Sequence, residues 1–142
     1  MGEIRTQVRL TNAFDESLQR RRRIEKSQVR SIETDAVVDT GVVRCTLPKS
    51  VAKQLGLETR GKRVAEFADG RKQAVGVTEP FVVEILGRDT LEEAMVVGDE
   101  VLIGQTALEK LDLLADSTRQ RLIPNPAHPD QPVTKIRRRR RV

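Results

Sequence analysis

The chain has 142 residues and a mass of 16.0 kDa, which is enough for one domain with a moderate core. Its net charge is +5, yet removing the run Arg137 to Arg141 from the 26 Lys and Arg leaves 21, equal to the number of Asp and Glu. The body of the chain is therefore neutral. Nucleic acid is an expected partner only weakly, through Arg137, Arg138, Arg139, Arg140 and Arg141.

The rare residue types exclude several kinds of site. Cys45 is the only cysteine and His128 the only histidine, so one subunit cannot form a disulfide or a Cys/His metal site. We expect no metal and no cofactor, and we interpret Cys45 as a small core residue. His128 lies in a proline-rich stretch that is poorly suited to holding a catalytic base. No apolar segment approaches the roughly 20 residues that span a bilayer, so we expect a cytoplasmic protein without membrane contacts.

Apolar periodicity and turn signals predict an all-β fold class, mainly β with two short helices. The predicted elements of the N-terminal half are a strand over residues 4–10, a polar loop over 11–23, an extended stretch over 29–38, a strand over 42–47 and a helix from Pro48 to Gly56. Pro48 suits the first turn of that helix, where its missing N–H is not needed.

The C-terminal half is predicted to be a series of hairpins. Asp69-Gly70 centres a hairpin over residues 62–76, because this dipeptide suits a tight turn whose two central positions have positive φ. The later predicted elements are a hairpin of 81–86 and 90–97 around Gly87-Arg88-Asp89, a strand over 101–104, a helix over 106–111 and a hairpin of 113–114 and 121–123. Because four of the six prolines fall within 124–132, we expect a domain of residues 1–123 and an extended, disordered, unpacked tail over 124–142.

Asp39-Thr40-Gly41 follows the apolar run Ala36-Val37-Val38 and is the most informative motif of the chain. An ionised carboxylate in a packed interior is costly unless it is paired or hydrogen-bonded, so a sequence that places one there usually has a use for it. Taken alone, the triplet also fits a β-turn in which the aspartate caps the backbone. Two later features favour the functional interpretation: the hairpin around Asp69-Gly70, and the apolar segment 101–104 that ends in Gly104.

These three features, in this order, resemble the retropepsin-like aspartic proteases, most closely their small bacterial and archaeal members, over residues 4–123. The resemblance implies a closed-barrel-like retropepsin fold with one lobe per chain. It further implies an aspartic endopeptidase whose active-site loop is formed by Asp39, Thr40 and Gly41 and supported by Ile103 and Gly104. The hairpin is expected to be a flap over a peptide or protein substrate, with a tip formed by Phe67, Ala68, Asp69, Gly70 and Arg71.

Metal-free peptide hydrolysis of this kind needs two carboxyl groups that share one proton. The chain contains a single Asp-(Ser/Thr)-Gly triplet, so the resemblance implies a homodimer in which each subunit donates Asp39 at the two-fold axis. Thr40 is expected to hydrogen-bond across the axis. Gly41 is expected to offer its N–H to a carboxylate oxygen.

Two features of the chain differ from the pattern of the family, and two alternative functions remain. Val42 stands where the family usually has alanine or serine, so crowding near the carboxylates is expected. The flap tip has one glycine and charged residues, whereas the flap tips of retroviral members are rich in glycine. The first alternative is a dimeric binding module that kept the fold without catalysis. The second rests on residues 46–57, which also resemble the Pro-Lys helix of swapped-hairpin DNA-binding regulators of bacteria.

Overall fold

The computed structural model describes residues 3–137. Its strands are β1 (Ile4–Asn12), β2 (Ser31–Val38), β3 (Cys45–Leu47), β4 (Thr59–Glu66), β5 (Lys72–Thr78), β6 (Phe81–Ile85), β7 (Arg88–Glu92), β8 (Ala94–Val96), β9 (Leu102–Ile103), β10 (Leu113–Asp116) and β11 (Arg121–Pro124). The α-helices are α1 (Ala13–Arg20), α2 (Lys49–Gln54) and α3 (Gln105–Leu111), and a 3₁₀ turn covers Lys26–Gln28. The domain is mainly β, as predicted, but these residues contain three α-helices instead of two. No helix in this part of the chain combines the length and hydropathy that a bilayer crossing requires.

Nine strands form one sheet in the order β4-β5-β8-β3-β9-β2-β1-β6-β7, and β10 pairs with β11 in a separate hairpin. β1 and β2 form a long antiparallel pair that runs from Ile4 opposite Val38 to Thr11 opposite Ser31. β9 lies between β2, to which it is parallel, and β3, to which it is antiparallel. The middle of the sheet therefore brings the end of β2 and the start of β3 to the same short strand.

The closed barrel expected from the sequence is not present. Within residues 3–137, β4 and β7 are the two edges of the large sheet and do not pair with each other. The reason lies in the hairpin of β4 and β5, which joins the rest of the sheet through a single register pair, Val77 opposite Met95. Its outer half extends away from the sheet, so the sheet stays open at this edge.

The hydrophobic core packs α3 and the central strands together. Leu108 and Leu111 of α3 point inward, as predicted. The side chains with 1% or less of their surface exposed include Leu10, Leu47, Leu55, Phe81, Ile85, Ile103, Leu108 and Leu111. Burying each large aliphatic or aromatic side chain stabilises a fold by roughly 1.5–3 kcal/mol, so this cluster holds α3 and the strands together.

The prediction of a polar loop over residues 11–23 is wrong, because β1 continues to Asn12 and α1 begins at the next residue. Asn12 caps the helix: its Oδ1 accepts from the backbone N of Asp15 at 3.0 Å, and its Nδ2 donates to the carbonyl of Leu55 at 2.8 Å. Asp15 is buried, and its carboxylate accepts from the backbone N, Nε and Nη2 of Arg30 at 3.1, 2.8 and 2.9 Å. The hydrogen bonds from the Arg30 side chain are the main reason that the pKa of Asp15 lies below its ordinary value. The hydrogen bond from the Arg30 backbone and the positive charge of Arg30 lower this pKa further.

Two predicted hairpins are present, but their turns differ from the prediction. Phe67 N donates to the carbonyl of Arg71, and Gly70 N donates to the carbonyl of Phe67, both at 2.8 Å. The loop therefore has three residues, 68–70. The sequence predicts positive φ at both Asp69 and Gly70, but only Gly70 has it, at 84°. In the next hairpin the positive φ values, 52° and 78°, fall at Leu86 and Gly87, so β7 begins directly after them.

Three residues beyond the predicted boundary at 123, namely Asn125, His128 and Val133, contact the carboxylate of Asp112. Asp112 ends α3 with a φ of 57°, and its carboxylate accepts from Asn125 Nδ2 and Val133 N, each at 3.0 Å. The hydrogen bond from Asn125, followed by that from Val133, lowers the pKa of Asp112 to about 2. His128 Nδ1 lies 2.6 Å from the same carboxylate. The domain boundary and the disorder of the remaining tail stay predictions, and residues 138–141 of the arginine run lie outside the described residues.

We predict that Asp15→Asn lowers the free energy of unfolding by about 1–3 kcal/mol at about pH 7, because it removes a buried, hydrogen-bonded charge partner of Arg30. The pKa of Asp15 is lowered in the folded state, so its contribution is present above the unfolded pKa of about 4 and is lost as the pH falls. Urea unfolding at several pH values measures this difference, which should shrink in acid. The matched control, Glu16→Gln on the same helix, should change stability little. A deficit of Asp15→Asn that does not vary with pH would contradict the assignment.

Candidate active site

The loop over residues 39–44 joins β2 to β3 and is anchored by β9. Asp39 N donates to the carbonyl of Ile103 at 3.0 Å, one residue beyond the register pair of Val38 and Ile103. β3 begins only at Cys45, so part of the strand expected over 42–47 belongs to this loop. The backbone of the carboxylate-bearing residue is therefore fixed by the neighbouring strand.

Asp39, Thr40 and Gly41 form a turn that orients its own carboxylate. Gly41 N donates to Asp39 Oδ1 at 2.9 Å, and Val42 N donates to the carbonyl of Asp39 at 3.3 Å. In the single chain Asp39 is half-buried, while Thr40 and Gly41 are exposed. The triplet therefore does not sit in a packed interior, and its hydroxyl and glycine backbone are accessible to another molecule.

Gly104 allows the start of α3 to approach this loop closely. A Cβ on Gly104 would lie 2.6 Å from the carbonyl oxygen of Arg44 and 2.8 Å from that of Val42, which is closer than any side chain permits. The φ of Gly104 is −89°, so glycine is needed here for space and not for its backbone conformation. The next residue, Gln105, donates its N–H to the carbonyl of Val42 at 2.7 Å. Gly104 and Asp39 are thus brought together through the 39–44 loop.

An open cleft of about 690 Å³ lies beside the carboxylate of Asp39. Apolar side chains make up much of its wall, and the full lining is Glu3, Ile4, Val38, Asp39, Thr40, Gln105, Leu108, Leu113, Leu114, Ala115 and Ser117. Leu114 is 45% exposed, although it belongs to an apolar strand. Sequence reasoning did not single out β10 as part of the site, since only the fold of the last hairpin brings it beside β2.

The predicted flap is a real hairpin, but this chain alone does not bring its tip to Asp39. Among the described residues that line the cleft, none comes from Phe67, Ala68, Asp69, Gly70 or Arg71. All of these tip residues are exposed except Phe67, which is half-buried. Val64 on β4 is 67% exposed, so the outer half of the hairpin contacts little of the domain.

The remaining candidate residues lie away from the cleft. Cys45 is buried, and this burial raises the pKa of its thiol to about 11, so it is a neutral core residue as predicted. Val42 is half-buried and does not line the cleft, so the expected crowding beside Asp39 is not seen in the single chain. His128 contacts Asp112 and does not line the cleft. In residues 3–137 no three His, Cys, Asp or Glu side chains cluster as metal ligands would.

Comparison with protein families matches residues 26–105 to the family described as aspartyl protease. The match covers more than half of the 142 residues and contains the Asp39 loop, the flap hairpin and β9. The chain belongs to the aspartyl protease family. The prediction of a retropepsin-like family from the sequence is confirmed.

Among solved structures, this aspartyl protease family member is similar to one described as the crystal structure of the retroviral protease-like domain of Ddi1 from Leishmania major. The TM-score is 0.56, the identity is 18%, and the alignment covers 89% of this chain and 90% of that one. At this identity the similarity establishes a shared fold. Comparison with curated proteins gives no match.

The alternative of a swapped-hairpin DNA-binding regulator is not supported. Residues 46–57 form part of β3 and α2, and β3 pairs with β8 and β9 inside the large sheet. The same residues fall within the range that matches the aspartyl protease family. The Pro-Lys resemblance therefore reflects a helix start of ordinary composition, with Pro48 preceding α2.

We predict that Gly104→Ala lowers the free energy of unfolding by about 1–3 kcal/mol and displaces the 39–44 loop, because the added methyl group meets two backbone carbonyls. Urea unfolding measures the loss of stability. Gly61→Ala is the matched control, since a Cβ there has no heavy atom within 4 Å. Equal stability of the two variants would contradict the close packing of Gly104 against the loop.

Proposed function

We propose that this aspartyl protease family member is an endopeptidase that cleaves peptide bonds as a homodimer, with one Asp39 from each subunit. The observation that carries this proposal is the Asp39 carboxylate itself, which is oriented by Gly41 N, anchored through β9 and open to a large cleft. A carboxylate held in this way, beside a cleft whose wall is part apolar and part polar, suits a site that binds an extended peptide.

The hydrolysis requires the two carboxyl groups in different protonation states. One Asp39 is ionised and takes a proton from water as the water oxygen attacks the carbonyl carbon of the peptide. The other is protonated and donates to the carbonyl oxygen, and the C–N bond then breaks as the nitrogen receives a proton. Two carboxyl groups a few ångströms apart share one proton, so hydrolysis is expected at acidic to neutral pH.

A second Asp39 is a better partner than any carboxylate of the same chain. Besides Asp39, the only acidic residue that lines the cleft in the described part of the chain is Glu3. The Glu3 carboxylate lies 3.5 Å from Arg5 Nη2 and is 60% exposed, so it already has a cationic partner and is not shielded from water. Thr40 is exposed beside Asp39, where its hydroxyl can bond to the partner loop across a two-fold axis.

The hairpin of β4 and β5 fits the role of a flap. It is attached to the sheet through one register pair and its outer half is exposed, so this outer half can change position while Val75 and Val77 at the base stay buried. In the proposed dimer it closes over the peptide and excludes water from the carboxyl pair.

We predict that Asp39→Asn lowers kcat/KM on a cleavable peptide at least about 100-fold, since a carboxyl needed for general acid and base catalysis is lost. Cleavage of a peptide library followed by mass spectrometry is the measurement, at acidic and neutral pH. Asp99→Asn, at an exposed position outside the cleft, is the matched control and should keep full activity. Equal cleavage by the wild type and Asp39→Asn would contradict the catalytic role, whereas a dimer that binds peptides without cutting them would indicate the binding-module alternative.

A further inference from the structure

The register of β4 and β5 shows which side chains the flap hairpin presents toward the body of the domain. Residues opposite each other in an antiparallel pair lie on the same face, and positions two apart on a strand share that face. Val75 and Val77 are buried, at 5% and 4% exposure, so their face is the inner one. Arg63 lies opposite Val75. The next inner residue of β5 toward the tip is Gln73, and Arg71 lies two residues before Gln73. The inner face of the hairpin therefore carries two arginines toward its tip.

The inner arginines have no acidic partner in the described part of the chain. The guanidinium carbon of Arg71 lies 4.6 Å from the ring centroid of Phe67, which holds it over the aromatic face. No carboxylate oxygen of residues 3–137 lies within 4 Å of the side-chain nitrogens of Arg63 or Arg71. On the outer face the situation differs, because Lys72 lies 3.9 Å from Glu66. Among the described residues the inner face therefore carries two guanidinium groups without a carboxylate partner, whereas the outer face carries one ion-paired lysine, Lys72, and one unpaired lysine, Lys62.

A groove beside the same face adds further positive charge. It has a volume of about 420 Å³ and lies between the base of the hairpin and α2, and the hairpin contributes Thr59, Gln73, Ala74, Val75 and Gly76 to its lining. Within the described residues, its charged lining consists of Lys49 and Lys53. Both lysines are exposed, and neither is ion-paired in the described part of the chain. Gln73 and Val75 of the inner face thus reach a groove that has no carboxylate in its described lining.

We propose that the substrates are acidic peptides, whose Asp or Glu side chains are bound by Arg63, Arg71 and the lysines of α2. This inference rests on the proposed function, in which the inner face of the hairpin covers the peptide. A guanidinium offers paired N–H donors that match a carboxylate, so Arg71, already oriented by Phe67, loses little freedom on binding. The lysines act as point charges that attract the same peptide over a longer range.

The direct test compares two cleavable peptides that differ only by Glu or Gln beside the scissile bond. The acidic peptide should have a kcat/KM about three- to tenfold higher, and the preference should weaken as salt is added, because exposed ion pairs are modest and screened. Cleavage of both peptides at equal rates would overturn the inference while leaving the endopeptidase proposal intact.

Two double variants with equal charge change separate the inner face from the outer one. Arg63→Gln with Arg71→Gln should remove most of the preference for the acidic peptide. Lys62→Gln with Lys72→Gln, on the outer face, should retain it. Loss of the preference in both variants would show a general effect of net charge and would contradict a specific inner face. Circular dichroism of both variants confirms that the hairpin changes leave the fold intact.

A binding measurement keeps this inference distinct from catalysis. Fluorescence anisotropy with labelled Glu and Gln peptides on Asp39→Asn protein should give tighter binding of the acidic peptide, again about three- to tenfold. Failure of the wild type to cut any peptide would count against the endopeptidase only. Equal affinity of Asp39→Asn for both peptides would count against the acidic substrate class, whatever the wild type cleaves.

Discussion

The close approach of the Gly104 backbone to the 39–44 loop is the constraint on which the site depends. The carbonyls of Val42 and Arg44 occupy the space where any other residue would place its Cβ. Because the loop lies this close, Gln105 N donates to the carbonyl of Val42, and the carbonyl of Ile103 in β9 accepts from Asp39 N. A larger residue at Gly104 would separate β9 from the loop and release the carboxylate from its fixed position.

Side-chain hydrogen bonds to the carboxylates of Asp15 and Asp112 fix the parts of the domain that surround this contact. Asp15 and Arg30 tie α1 to the start of β2, while Asp112 ties the residues after β11 to the end of α3. Arg88 adds bonds to the carbonyls of Leu111 and Asp112 at 3.2 and 2.8 Å. The wall of the cleft that β10 provides is therefore held by side-chain hydrogen bonds as well as by packing, which allows Leu114 to remain exposed beside Asp39.

Sequence reasoning identified the features that depend on local pattern, and missed those that depend on distant partners. The Asp39 triplet, Gly104 and the inward face of α3 follow from residue type and spacing. The helix α1 was missed because its composition is polar, and the partner that neutralises Asp15 is Arg30, which lies just before β2. The hydrogen bonds of Asn125 and Val133 to Asp112 were missed because proline content indicates extension, while the acceptor is a carboxylate more than ten residues earlier in the chain. The open sheet was missed because the family resemblance implied closure, and no local signal reports how far a hairpin extends beyond its sheet.

The central claim is that Asp39 is half of an active site that a second copy of the chain completes. It is tested most directly by refolding wild type together with Asp39→Asn in varied proportions and measuring total peptidase activity. If each site needs two intact aspartates, activity falls as the square of the wild-type fraction, and an equal mixture keeps about a quarter of the activity of the wild type alone. A linear fall, with about half retained in the equal mixture, would show that one chain is sufficient and would contradict the account.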